Sequence, residues 1–276
     1  MIAVAADLSG LIGFDHPIIG VANLDSATRQ WERLGFAMTP MGRHIGWATA
    51  NRCIMFAESY VELLGIVDPS GYTHGLADRL NTDGEGAIGY ALTSRDADLT
   101  YHAFVEAGIA GEPPKRLERL LDLPTGTVRP AFRLVHPEPT DALGVRAFAC
   151  HHLTPELIRQ PAWLTHPNGA TGIAIVTIAV PSPAAVTPTF QQLVGEAGVV
   201  AAPQGTTVRV GGTTLAFGPA DRVGGIIGLG ISVKDVKATR TWLDHHHVPF
   251  IDNPSDGTID VAPTHANGVA LTFLPG

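Results

Sequence analysis

One order of segments recurs four times along this chain of 276 residues: a strand, a helix, then further strands separated by turn-prone residues. In the first copy "HPIIGVA" reads as a strand, Asp25 or Ser26 caps the helix that begins near "SATRQWERLG", and Gly35 ends it. "FAMTPMG", "GWATANRCIMFA" and "YVELLGIV" follow as strands, which gives the order βαβββ. The second copy runs from "GAIGYALTS" through the helix "DADLTYHAFVEAG" to "RLERLLDLP", "VRPAFRLVHP" and "VRAFACHHL". The third runs from "TGIAIVTIAV" through "PAAVTPTFQQLVGEAG" to "TTVRVGG" and "TTLAFGPA". The fourth comprises "IIGLGISV", "VKATRTWLDHHHV", "PFIDNP", "GTIDVAP" and "GVALTFLPG".

A unit this small cannot cover both faces of its sheet and the side of its helix, so the units must pair around shared cores. The expected fold is α+β, with four βαβββ modules paired into two domains at 12–155 and 170–276. The connection over 156–169 lies within the proline-containing stretch "LTPELIRQPAWLTHPNGA" and reads as a linker with a short helical turn, resting on the surface through Trp163.

Eighteen basic residues against twenty-six acidic ones give a formal charge of -8, and no run of Lys or Arg forms a stripe. Nucleic acid is therefore not an expected partner. The apolar stretch "ATGIAIVTIAV" is too short to cross a bilayer as a helix, so no membrane association is expected. No basic segment leads into an apolar one at the amino terminus, and Cys53 and Cys150 are the only cysteines. These features favour a cytoplasmic protein with two buried, inert thiols. "GEGAIG" enters a strand, not a helix, so it is no phosphate cradle and no nucleotide is expected.

The segment "DHPIIGVANLDSATRQWERLGFAMTPMGRHIGWATANRCIMF" resembles the start of a glyoxalase-like domain family, and "HHLTPELIRQPAWLTHPNGA" resembles a second block of it. This family lies within the vicinal oxygen chelate superfamily, which includes glyoxalase, bleomycin-resistance and extradiol-dioxygenase-like proteins. The close likeness covers about residues 13 to 67, and the remaining units match by strand order. The resemblance implies half-barrel mixed sheets whose concave face holds a divalent metal, with ligands on the first and last strands of the units.

On that plan His16 opens the first strand, and Glu62 lies in the last strand of the same unit. Between Val61 and Leu63, the Glu62 carboxylate faces away from its apolar neighbours, and an unpaired buried charge there would be costly. Aligning Asp96 with Asp25 puts Ala87 where His16 stands, and alanine cannot bind a metal. The strand "FACHHL" brings in His151 or His152, and alternation sends the two to opposite faces, so one of them is a ligand. The resulting set of two histidines and one carboxylate suits Fe, Mn, Zn or Ni.

Further candidates cluster in "GRHIGWATANRC". Arg43 or Arg52 is suited to hold a carboxylate or enolate oxygen, because a guanidinium offers several directed donors. His44 and Glu62 are the candidate proton carriers. Trp47, Asn51, Tyr60, Phe132 and Phe148 are the remaining candidate contacts of a substrate. In the second domain Gly172 and Ile226 fall near the position of His16, so that domain is expected to be metal-free and to stabilise, dimerise or cover the first. His245, His246 and His247 end a helix, where basic side chains suit the dipole.

The expected function is a metal-dependent lyase or isomerase acting on a small oxygenated substrate, with the metal stabilising an enolate. Two alternatives stand beside it: a metal-free protein that sequesters a small molecule, and an extradiol-type dioxygenase. The superfamily's dioxygenases carry their metal in the second domain, whereas the ligands here lie in the first. A homodimer is the expected assembly.

Overall fold

The computed structural model describes residues 9–220 and 224–276. The leaderless reading of the amino terminus falls largely on residues 1–8, outside the described residues. No helix among those described is long and apolar enough to cross a membrane.

The first module consists of β1 (Leu11–Gly20), α1 (Leu24–Arg33), β2 (Gly42–His44), β3 (Thr49–Met55) and β4 (Tyr60–Ile66). A helix that the hydrophobic pattern does not announce, α2 (Leu76–Asp83), leads into the second module. That module holds β5 (Gly86–Ser94), α3 (Ala97–Glu106), β6 (Lys115–Leu123), β7 (Gly126–Val128), β8 (Ala131–Val135) and β9 (Ala147–His152). The third has β10 (Ala170–Val180), α4 (Thr187–Val194), β11 (Val199–Ala202), β12 (Gly205–Val210) and β13 (Thr213–Pro219). The fourth has β14 (Gly225–Val233), α5 (Val236–His245), β15 (Ile251–Asn253), β16 (Thr258–Val261) and β17 (Ala270–Pro275).

Two local expectations need correction. "FAMTPMG" is not a strand, and only Gly42–His44 pairs there. Pro40 has no N–H to give a ladder, and Thr39 is instead tied to Cys53 by its N–H and its hydroxyl, each at 2.9 Å. The cap of α1 is Asn23, whose side chain accepts from the Ser26 N–H at 2.9 Å, and neither Asp25 nor Ser26 takes that role.

In each half the first strand of one module pairs antiparallel with the first strand of the next, β1 with β5 and β10 with β14. Each of these four strands is also parallel to the last strand of its own module. The second sheet, in the order β11-β12-β13-β10-β14-β17-β16-β15, stays open. The first, in the order β2-β3-β4-β1-β5-β9-β8-β6-β7, has an extra pairing of β2 with β6 that joins eight of its strands into a ring.

The halves share one apolar core. Phe36 stacks on Phe273 with centroids 6.0 Å apart, and Trp31 donates to Asn267 at 2.9 Å. Gly35 sits in this seam with φ +90, and a Cβ there would lie 2.6 Å from Asn168 and 2.7 Å from Trp242. Within 156–169 two short 3-10 turns form, and Trp163 packs half-buried against the smaller apolar cluster around Cys53 and Phe132.

Candidate active site

The ring of strands encloses a cavity of about 660 Å³. His16, Tyr60 and Glu62 line it from β1 and β4, and Asn51 and His44 from β3 and β2. Trp47, Phe132 and Phe148 complete the aromatic part of its wall.

β1 places His16 by means of a bulge. Phe14 pairs with Leu92 and His16 with Ala91, which leaves Asp15 as an extra residue. A regular strand would send Asp15 and His16 to opposite faces. Here their side chains meet, with His16 Nδ1 2.7 Å from Asp15 Oδ1. The other nitrogen, Nε2, lies 3.4 Å from Glu62 Oε2 and 3.5 Å from the Tyr60 hydroxyl. Tyr60 stacks flat on the imidazole at 4.2 Å.

Asp15 is fully buried and serves two histidines. His152 Nε2 is 2.7 Å from Asp15 Oδ2, and the Thr93 hydroxyl donates to the same oxygen at 3.2 Å. His152 Nδ1 is buried without a hydrogen-bond partner. His151, one residue back, turns away from the cavity, and its Nδ1 accepts from the Ala97 N–H at 3.3 Å, at the start of α3.

Charge in this network follows from geometry. Burial opposes ionisation of Glu62, but hydrogen bonding and charge from His16, with His44 and Asn51, outweigh it and hold its pKa at about 2. Burial likewise disfavours a charged His16, yet Asp15 and Glu62 raise it to about 9. Burial also opposes a charged Asp15, and the two histidines keep it ionised well below the usual carboxylate range. Burial pushes His44 down to about 4, so it is neutral at pH 7, with Nδ1 2.9 Å from the Thr49 hydroxyl. Cys53, as expected of an inert thiol, is buried and pushed up to about 11, chiefly by burial.

Asp15, Cys150 and His152 each bring one ligand atom within 4.8 Å of the others, a cluster able to chelate a divalent ion. A carboxylate, an imidazole with an unpartnered nitrogen and a thiol form an O, N, S set that suits ions of the zinc and iron type. The burial-raised pKa of Cys150 means that its proton would have to leave on binding. Of the residues expected as ligands, His152 belongs to this cluster, while His16 and Glu62 form a neighbouring pair and His151 stands apart.

Arg43 and Arg52 do not line the cavity: Arg43 pairs with Asp122 at 2.8 Å on the exposed side, and Arg52 donates to the Thr39 carbonyl at 3.2 Å. The sequence reading missed Asp15, Cys150 and a third arginine, Arg119, which is buried in the cavity wall at 3% exposure. Alternation in "RLERLLDL" offers a signal for the last, because Arg119 shares a face with Leu117 and Leu121.

Strand register also relocates the counterparts of His16. Ile18 pairs with Glu62 across β1 and β4, as Ala91 pairs with Phe148 across β5 and β9. With His16 opposite Ala91 and Ile18 opposite Gly89, the second module offers Gly89 and Phe148 at the places of His16 and Glu62. Ala87 is two residues off, the same slip that Asn23 introduces as the true cap of α1. A Cβ on Gly89 would lie 2.5 Å from the Arg146 carbonyl, so no side chain fits there. In the second sheet the counterparts of His16 are Ile175 and Gly228, not Gly172 and Ile226. His245 and His247 are exposed at the end of α5, and His246 stacks on Trp242 at 3.9 Å.

Three solved structures resemble the whole chain. A hypothetical protein from Staphylococcus aureus aligns with a TM-score of 0.67 and 13% identity, over 95% of this chain and 99% of that one. A mutant of 4-hydroxymandelate synthase from Streptomyces coelicolor aligns at 0.60 and 13% identity, over 96% and 92%. A fusion of a xylose isomerase-like TIM barrel with a 4-hydroxyphenylpyruvate dioxygenase aligns at 0.54 and 11% identity, over 96% of this chain and 49% of the fusion. At these identities the likeness is one of fold. No curated protein is significantly similar in sequence. The model of the glyoxalase-like domain matches residues 14–194, more than half of the chain and including the bulged strand, Glu62 and the Asp15, Cys150 and His152 cluster. The chain belongs to the glyoxalase-like domain family, within the vicinal oxygen chelate superfamily.

Proposed function

We propose that the protein is a metal-dependent lyase or isomerase that acts on a small oxygenated organic molecule in the cavity of the first sheet. One observation carries the reading: groups of opposite proton affinity face one cavity, and Cys150 of the cluster able to chelate an ion also lines it. Residues 12–155 supply the chemistry, 170–276 form a metal-free support, and 156–169 link the two.

Asp15, Cys150 and His152 would hold the ion, with His16 and Glu62 alongside. The chemistry supplied by an ion there is stabilisation of negative charge on neighbouring substrate oxygens. Glu62, ionised, and His44, neutral, are the proton acceptors at pH 7. Tyr60, whose pKa burial raises, and His16 are the donors. Removal of a proton at one carbon and its return at another, or loss of a leaving group, are the reactions such a set serves. Asp15 positions both histidines.

Metal analysis of protein purified without added metal or affinity tag tests this. Near-unit occupancy is expected in the wild type and is lost in Cys150→Ser and His152→Ala. Failure to retain Fe(II), Mn(II), Zn(II) or Ni(II) after anaerobic reloading overturns it.

A second reading, a metal-free protein that sequesters its ligand, draws support from Gly89 and Phe148, which leave the second module without donors at the places of His16 and Glu62. Full ligand affinity after chelation, with no turnover, favours this alternative.

A further inference from the structure

Among the described residues Arg119 is the one arginine fully inside the cavity wall, and no carboxylate contacts it. Nη1 donates to Asn51 Oδ1 at 2.5 Å and to Cys53 Sγ at 3.6 Å, while Nε is buried without a partner. Cys53 is a neutral thiol and cannot balance the charge. Asn51 stands between Arg119 and Glu62, accepting from the first and donating to the second at 2.5 Å, so the two charges do not touch. Glu62 is already engaged by His16. A buried guanidinium with unused donors is costly unless an anion completes it.

The rest of the lining points the same way. Its other cations include Arg79, Lys115 and Arg116, which are paired with Asp83, Glu112 and Glu118. Arg146 lines the cavity and has no ion pair among the described residues. Glu138, exposed like Arg146, also lines the cavity without an ion pair among the described residues, so the cation left buried without a carboxylate is Arg119.

We propose that the substrate is an organic acid with a flat apolar body, its carboxylate seated on Arg119 and its body against Trp47, Tyr60 and Phe132. The planar fork of the guanidinium matches a carboxylate, and Phe132 lies beneath it with its ring centroid 5.9 Å from the guanidinium carbon. Arg119 thereby takes the anion-holding role that the sequence suggests for Arg43 or Arg52. The proposal rests on the reading that this cavity is the substrate site.

The test is calorimetric titration of the full chain with acetate, butanoate and 3-phenylpropanoate, each beside its neutral amide, in metal-free and metal-loaded protein. The aryl acid is expected to bind about tenfold or more tightly than its amide, the margin of a charge-assisted hydrogen bond. Arg119→Gln should erase that preference. Because Arg119→Gln can fail to fold, Arg119→Lys is measured beside it: this variant keeps the charge but loses the fork, and should weaken the acid about tenfold while leaving the amide unchanged. Equal binding of acid and amide, no binding across the set, or full preference in Arg119→Lys overturns the proposal. Metal retention without acid preference sinks this proposal alone. Acid preference without any metal retention sinks the metalloenzyme reading alone.

Discussion

The two sheets share a backbone plan and differ in what they do with it. β1 has register shifts between Leu11 and Gly13, Phe14 and His16, and Ile18 and Ile19, and β10 repeats them between Ala170 and Gly172, Ile173 and Ile175, and Thr177 and Ile178. In this alignment Asp15 and His16 correspond to Ala174 and Ile175, and Glu62, opposite Ile18, corresponds to Ala216, opposite Thr177. The bulge is therefore a property of the architecture, and the polar network is an addition made in one copy. The second difference is closure: His44 pairs with Arg119 across β2 and β6, whereas the second sheet ends in free edges at β11 and β15. Enclosure and buried charge occur together, as expected when low dielectric strengthens every polar contact within.

Exchange of residues between the copies is the strongest way to break this contrast. Asp15→Ala, His16→Ile and Glu62→Ala together give the first sheet the side chains of the second at these places. Loss of all measurable turnover is expected with the fold retained, because apolar replacement of a buried ionic pair is often neutral or stabilising. Circular dichroism and thermal melting check the fold, and any surviving turnover shows that the chemistry lies elsewhere. Removing one partner instead is more damaging to stability. Asp15→Asn strips both His16 and His152 of their carboxylate, and urea unfolding should show a loss of about 3 kcal/mol or more. A loss below about 1 kcal/mol would mean that the network contributes little.

The smallest effect is a pH dependence of the metal-free protein. His16 has its pKa raised from 6.5 to about 9, so its contribution to stability is complete below 6.5 and disappears as the pH climbs towards 9. Glu62 is depressed from 4.5 to about 2, so its contribution is present above 4.5 and fades as the pH falls below it. Because His44 is depressed from 6.5 to about 4, the unfolded chain takes up its proton first as the pH falls below 6.5, so thermal stability should be greatest near pH 6.5 and decline on both sides. The alkaline decline should flatten in His16→Gln, and an unchanged slope there would remove His16 as its cause.

The repeat was the most legible feature, because each module carries the same order of apolar runs and turns. Glu62 was legible as a carboxylate inside an apolar strand, and alternation rightly separated His151 from His152. Asp15 was hidden because a bulge suspends the alternation on which such reading depends, and no residue in "GFDHPII" announces it. Arg43 and Arg52 were grouped with His44 and Asn51 by nearness in sequence, although alternation puts each on the opposite face from its neighbour. α2 was missed because it buries only Leu76 and so has little apolar periodicity to read.

The seam that shuts the ring also sets the order in which the site can come into being. Gly42 meets Leu121, and His44 meets Arg119, across β2 and β6. A chain emerging from the ribosome through Ile66 already contains His16, Glu62, Asn51 and Trp47, yet it has only an open sheet on which to display them. The enclosure, Arg119, Cys150 and His152 all come from the second module, so a nascent first module has the ingredients of the site without the site. The site thus needs both modules of the first sheet, and the core on which that sheet rests also needs Asn267 and Phe273 from the last module.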